Sequence, residues 1–567
     1  MPSKSRQRSR RLIAPLFYIL RRVCYHSSVT PRRGLLWTAL FVCLLCAPFL
    51  GEAYHIDEPY YLAVARQILD SPLHPGGFLY NADGHGALLS KGFATGPFVS
   101  YLLALPMKWT GGVEWKLRLA CLPFDLAAAL ALFLLAGRFL SRPLLPVLIV
   151  VACPIYWLNM HHLMAEKWIG VFGFSGLYAY ARGADEKKAP WLWASASLLA
   201  AALLAKYTAF FLLAPVAAYG WSRGERGRLA LVLSAAAAPA ALCLLAAPGS
   251  REAVWHLTAL GSPMPWSAWS HRLRSLCAAV AGGAPVLLCW PFLLCRGRRL
   301  WAAAALSSAL AALLFLPYFD LSAVRAVDRL TGAVFAAGTL SALAVLAWDP
   351  HDRNREFWAS WTLAVALLQA CVYWAVVSRY VLFLAVPILL WYASLLERAL
   401  EPALLRRVHA ASLALAIFAT GTLGWVDSSY ADAQRSFARS VAQEYRGRRL
   451  WFTGHWGLQY YMESAGAQAI DLDRGGWGQV RPGDAAVIPL VNTNVIKPGR
   501  RLLCRLRTVR VGHPLPLRLI SAGGPGDGAF YSSAFGFLLY SLSAEPLEEF
   551  TILDVASNPP PQTAIMR

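Results

Sequence analysis

Residues 35–50, LLWTALFVCLLCAPFL, run directly into residues 51–69, GEAYHIDEPYYLAVARQIL, and this junction decides how the chain is organised. The first stretch carries no charge and follows Arg32 and Arg33, so it reads as a membrane-spanning helix that leaves a basic side. The second places two carboxylates, Asp57 and Glu58, at the head of a helix with Pro59 early in its first turn. In that helix Tyr61, Val64, Ala65, Ile68 and Leu69 share one face, while Arg66 and Gln67 fall on the other. The pattern predicts a helix lying in the interface and holding the acids at headgroup depth. A plain helix start accounts for the acids equally well, with Asp57 as N-cap and Glu58 as partner of the helix dipole.

Composition supports a polytopic membrane protein. Of 567 residues 57% are hydrophobic and 15% charged, and the mean hydropathy is +0.46, too few ionisable groups for a soluble chain of this length. The excess of 53 Lys and Arg over 31 Asp and Glu is explained by sidedness, because basic clusters gather in cytoplasmic loops; nucleic acid is not implied. Most of the 11 cysteines fall in or beside apolar runs, so no disulfide framework is expected. Residues 1–34 form a basic tail, read as cytoplasmic with an interfacial helix and not as a cleaved leader.

Walking the apolar runs with Arg and Lys clusters as the inner marker predicts about 13 transmembrane helices over residues 35–427. It also predicts a first outer loop, 51–116, and places both acids on the outer side. From residue 428 to 567 charge, Gly and Pro rise and short β-like runs alternate with helical ones, which predicts a small extracytoplasmic α/β domain. Gly475 to Gly478 lacks the spacing of a nucleotide loop and reads as a turn. The aromatic stretch from Trp451 to Glu463 reads as core rather than as a sugar-stacking face.

Further ionisable residues stand at the outer ends of apolar runs. Glu166 follows a run holding Tyr156, Trp157, His161 and His162. Adjacent histidines diverge on a helix, so the two do not easily share an ion with Glu166. Lys91, Lys206 and Arg379 read either as headgroup anchors or as cations for a phosphate. Outward acids beside outward cations suit a reaction on a lipid-linked phosphate, in which a carboxylate takes the acceptor's proton and the cations stabilise the departing phosphate.

These residues resemble the GT-C membrane glycosyltransferases, in the branch holding protein O-mannosyltransferases, the lipid A aminoarabinose transferase and related lipopolysaccharide sugar transferases. Asp57-Glu58 opening a Tyr-Tyr-x-x-x-Ala-Arg helix looks like the family's first outer-loop acid motif. Lys91 to Pro97 before Tyr101-Leu102-Leu103-Ala104-Leu105-Pro106 is similar to its Lys-Pro-Pro segment. Gly111-Gly112 with Arg118 resembles the approach to its second span. Glu166 stands where the family usually has Asp, Leu204-Ala205-Lys206-Tyr207 looks like its Leu-x-Lys-Gly turn, and Arg379-Tyr380 with Pro387 is similar to its late Arg-Tyr span.

The resemblance implies a GT-C fold and transfer of a hexose or pentose from a polyprenyl-phosphate donor, with inversion, to a lipid, glycan or protein acceptor. The location it implies is the outer face of a bacterial inner membrane. Asp57 would be the general base, Glu58 its orienting neighbour and Glu166 a second acid, with Lys91, Lys206 and Arg379 on the phosphate. Some members use a divalent metal and others do not, which leaves a metal open. The competing class is a multi-span lipid or glycan transporter or flippase. Such proteins place ionisable groups at mid-membrane in two similar halves, whereas the acids here stand at span ends and no repeat is visible.

Overall fold

The first span folds as expected, a helix over Pro31–Cys46 with proline in its first turn and a short 3-10 turn, Ala47–Phe49, at its outer end. The computed structural model describes residues 30–89, 96–246, 265–294, 298–316, 324–349, 352–498, 504–521 and 528–555. The basic tail before residue 30 and Lys91 lie outside them.

Among the described residues six helices are long and apolar enough to cross a membrane: Pro31–Phe49, Glu114–Ala136, Arg226–Ala246, Ala326–Ala347, Ser378–Ala399 and Pro402–Glu444. Leu144–Ala152 and Pro154–His161 make a seventh if they are one span bent by 66°. The protein is therefore an integral membrane protein. Among the described residues length and composition pick out these six or seven, while the walk, which also counts shorter and more polar runs, expects about 13. Part of the difference has a packing origin. Ala165–Glu186 opens on Glu166 and Lys167 and is buried almost all round, so protein groups meet its polar ends. Ala189–Ala205 is apolar but short.

The break in the bent span falls where Pro154 has no N–H to continue the ladder, and Cys153 turns extended there. The helix that follows the first span, Glu58–Asp70, buries Tyr61, Val64, Ala65 and Ile68, and the helix Phe98–Thr110 ties to it through the Ser100 hydroxyl donating to Tyr61 O at 3.0 Å. Leu69, expected on the buried face, is 38% exposed at the helix end.

Pro402–Glu444 is a single helix of 43 residues that continues through the expected domain boundary at 427. Beyond it lies a five-stranded sheet in the order Gln468–Ala469, Leu450–Phe452, Ala485–Pro489, Glu548–Val555, Cys504–Val511. The first three strands are parallel, and Glu548–Val555 runs antiparallel to both of its neighbours. Leu450–Phe452 and most of Ala485–Pro489 are buried runs, as interior parallel strands require. The sheet rests on the long helix, with Phe437 and Phe550 stacked at 3.7 Å between centroids. Trp451, Phe452, Leu458 and Met462 are buried, in accord with the core reading of that stretch.

Among the contacts that tie this part to the membrane helices, two bear on the site. A hairpin of the first outer loop, Leu79–Asn81 with Gly86–Leu88, docks on it: Asn81 Nδ2 donates to Ile470 O at 3.1 Å and Leu472 N to Gly84 O at 2.8 Å. The second is the chain around residue 530. Ser533 N donates to Val376 O at 2.8 Å and Ser378 N to Phe530 O at 3.3 Å, bracing the turn that presents Arg379.

Candidate active site

Asp57 and Glu58 head the helix Glu58–Asp70, yet neither side chain caps it. The turn before them is strained: Ile56, a β-branched residue, sits at φ 48°, a region such side chains rarely adopt. The two acids serve opposite walls.

Glu58 points inward and is fully buried. Both its oxygens accept from the Arg118 fork at 2.9 Å. Oε1 also accepts from Leu163 N at 2.7 Å and Oε2 from His55 N at 2.8 Å. These four donors fill a carboxylate's capacity, so Glu58 joins the outer loop to the second span and the bent span. Burial opposes its ionisation, but Arg118 and His162 outweigh that and hold it well below the usual carboxylate range.

Asp57 faces the other way and pairs with the Arg379 guanidinium. Its side chain remains 38% exposed, open to a second molecule. Burial again opposes ionisation, and Arg379 then reverses the balance, holding the carboxyl below its ordinary value.

Glu166 and Lys206 make the neighbouring pair, with Lys206 Nζ donating to Glu166 Oε1 at 2.7 Å. Lys206 occupies the extended break between Ala189–Ala205 and the 3-10 turn Tyr207–Leu212, and its ammonium lies 4.8 Å from the Tyr380 ring centroid. Each cation acts electrostatically on the other pair's acid as well. The structure thus gathers Asp57, Glu166, Lys206 and Arg379 into one place. Glu166 Oε2 and Arg379 Nε are buried there with no protein hydrogen-bond partner. Lys167, adjacent to Glu166, pairs elsewhere, with Asp125 in the second span at 2.9 Å.

Lys206 also forms part of the wall of a cavity of about 320 Å³. Leu203, Phe210, Ala240, Leu244 and Leu368 line it, and Lys206 is its single charged residue. A larger and more open cavity of about 530 Å³ lies between the long helix and strand Cys504–Val511, and none of the site residues expected from sequence reaches it.

Behind Glu58 is a second buried cluster that the sequence did not disclose. Tyr531 donates its hydroxyl hydrogen to Asp427 Oδ2 at 2.6 Å, and His162 Nε2 lies 3.0 Å from the same hydroxyl. His55 Nε2 stands 3.3 Å from Asp427 Oδ1, and His161 Nε2 is 3.1 Å from Glu52 Oε2. The two histidines have different partners, His161 closing the helix Pro154–His161 and His162 standing in the extended residue after it. One signal was available: an acid such as Asp427 at the end of an apolar run is a functional pointer, and it was spent on marking a domain edge.

This arrangement is that of a membrane protein with a buried polyionic site beside an apolar cavity. Residues 94–249 match the family model described as dolichyl-phosphate-mannose-protein mannosyltransferase. Among solved structures, ArnT from Cupriavidus metallidurans in the apo state is similar at 17% identity and a TM-score of 0.42, over 80% of this chain and 92% of that one. The same protein bound to undecaprenyl phosphate gives 16% identity and a TM-score of 0.41, over 80% and 92%. No curated relative matches the chain.

Proposed function

We propose that this protein moves a monosaccharide from a polyprenyl-phosphate donor to a lipid, glycan or protein acceptor at the outer face of a bacterial inner membrane. In this reading the amino terminus is cytoplasmic, residues 428–567 lie outside, and the product belongs to the cell envelope, as lipopolysaccharide does. The observation that carries it is the half-open Asp57 beside Arg379, next to a Lys206–Glu166 pair at the wall of an apolar cavity. The family match over residues 94–249 supports the class.

The chemistry follows from the pairs. A donor phosphate competes with Asp57 for Arg379 and with Glu166 for Lys206, and Lys91 is proposed to act on the same phosphate. As Arg379 turns to the phosphate, Asp57 loses the charge that suppresses its basicity. It then accepts the acceptor's proton while the acceptor oxygen bonds to the anomeric carbon from the face opposite the phosphate. The anomeric carbon–oxygen bond to phosphate breaks, and polyprenyl phosphate leaves with its charge met by Lys206 and Arg379. Glu166 orients Lys206, and Glu58 acts through the backbone turn that presents Asp57. The apolar cavity takes part of the isoprenoid chain.

The test uses purified full-length protein in vesicles containing a polyprenyl-phosphate sugar and envelope acceptors. Mass spectrometry should find free polyprenyl phosphate and a glycosylated acceptor in equal amounts. Donor that crosses the bilayer intact, with no polyprenyl phosphate released, would favour a flippase and overturn the proposal.

A further inference from the structure

Glu52, His162 and Asp427 come from the first outer turn, the end of the bent span and the long helix, yet one donor atom from each lies within 4.8 Å of the other two, all buried. Three features of this cluster point to a bound cation.

The first is spacing. His162 Nε2 stands 3.4 Å from Asp427 Oδ2. Two donor atoms each about 2.1 Å from a tetrahedral ion are separated by about 3.4 Å.

The second is the orientation of the imidazole. With Nε2 towards the carboxylates, His162 Nδ1 faces Glu58 Oε1 at 3.7 Å and has no hydrogen-bond partner of its own. At 3.7 Å this is no hydrogen bond, so what the ring offers the cluster is Nε2, turned towards Asp427. The remaining carboxylate contacts are also those of a held ligand set: the Tyr531 hydroxyl and His55 on Asp427, and His161 on Glu52.

The third is charge. Glu52, Glu58 and Asp427 bring three carboxylates into this buried region and Arg118 a single guanidinium. Buried carboxylates in excess of the fixed cation are costly unless further positive charge meets them. A divalent ion, bound where the imidazole proton would otherwise sit, supplies it.

We propose that Glu52, His162 and Asp427 hold a divalent transition-metal ion of the Zn2+ type, which fastens the first outer turn to the bent span and the long helix. One imidazole with two carboxylates suits such an ion, whereas Ca2+ and Mg2+ favour all-oxygen shells. The site is separate from the Lys206 cavity and owes nothing to the glycosyl-transfer reading, so either can fail alone.

The experiment is metal analysis of the full-length protein purified in detergent through a non-metal affinity tag. About one Zn2+-type ion per chain is expected, or one bound after adding Zn2+ to chelator-treated protein. X-ray absorption of the bound ion should show a single imidazole nitrogen with oxygens at about 2.0–2.2 Å. His162→Gln and Asp427→Asn should abolish binding while eluting as folded protein. Wild-type protein that takes up no metal overturns the site, as does full metal retention in the folded variants. Should the variants not fold, the absorption spectrum decides: thiolate ligands or several imidazoles contradict the assignment, and the one-nitrogen shell sustains it.

Discussion

Adjacent carboxylates with opposite duties make separable predictions. Glu58 is sealed against Arg118 and two backbone amides, so Glu58→Gln strands a buried guanidinium and should cost about 3–5 kcal/mol of stability. Asp57 is 38% exposed in its pair with Arg379, so water already meets part of its charge and Asp57→Asn should cost less stability than Glu58→Gln. Unfolding of the two variants in detergent, followed by temperature or denaturant, checks the contrast, and equal losses would contradict it. The acid pair, Glu166, Lys206 and Arg379 were all visible in the sequence, because ionisable groups beside apolar runs are rare and conspicuous. Their partners were not. That Glu58 belongs to Arg118, and Lys206 to Glu166, depends on side-chain direction across distant elements, which helical spacing does not encode. Ile56 at φ 48° precedes the pair, and no β-branched residue announces such a conformation.

At the scale of elements, the first outer loop depends on the sheet beyond the long helix. Asn81 holds the hairpin turn by accepting from Gly84 N at 2.8 Å and docks it by donating to Ile470 O at 3.1 Å. Asn81→Ala should speed hydrogen exchange in residues 84–88 about 5- to 10-fold, the worth of roughly one hydrogen bond, and unchanged exchange would show the hairpin to be held otherwise. The sheet carries its own pH signature. Glu548 accepts from Val491 N at 2.7 Å and Leu490 N at 3.0 Å, and its Oε2 has no partner. Burial pushes its carboxyl up to about 8. The folded state therefore binds this proton more tightly than the unfolded chain, so its contribution is present below the ordinary carboxylate range and is lost as pH rises to about 8. Glu548→Gln should flatten that part of the stability profile. The strands at 450–452 and 485–489 were legible as short apolar runs. Their order was not, since the sheet inserts the late strand Glu548–Val555 beside Ala485–Pro489, a long-range pairing that local pattern cannot report.

For the whole molecule, the apolar cavity and the polyionic site together specify an amphipathic substrate with a long hydrocarbon part. Ala240→Phe narrows the cavity and should raise KM for a long-chain donor while leaving a short-chain analogue little affected; equal effects on both would remove the cavity from donor binding. The membrane class was legible from composition and apolar runs alone. Counting the spans asks more than hydropathy, because helices surrounded by protein, such as Ala165–Glu186, need not be apolar from end to end. The central claim is that Asp57 takes the acceptor's proton during transfer from a polyprenyl phosphate. Its most direct test is the rate of polyprenyl-phosphate release by wild-type protein and Asp57→Asn in the same vesicles. The expected result is a loss of about 100- to 10,000-fold in the variant with unfolding behaviour unchanged. Release at a rate comparable to wild type, by a folded Asp57→Asn, would contradict it.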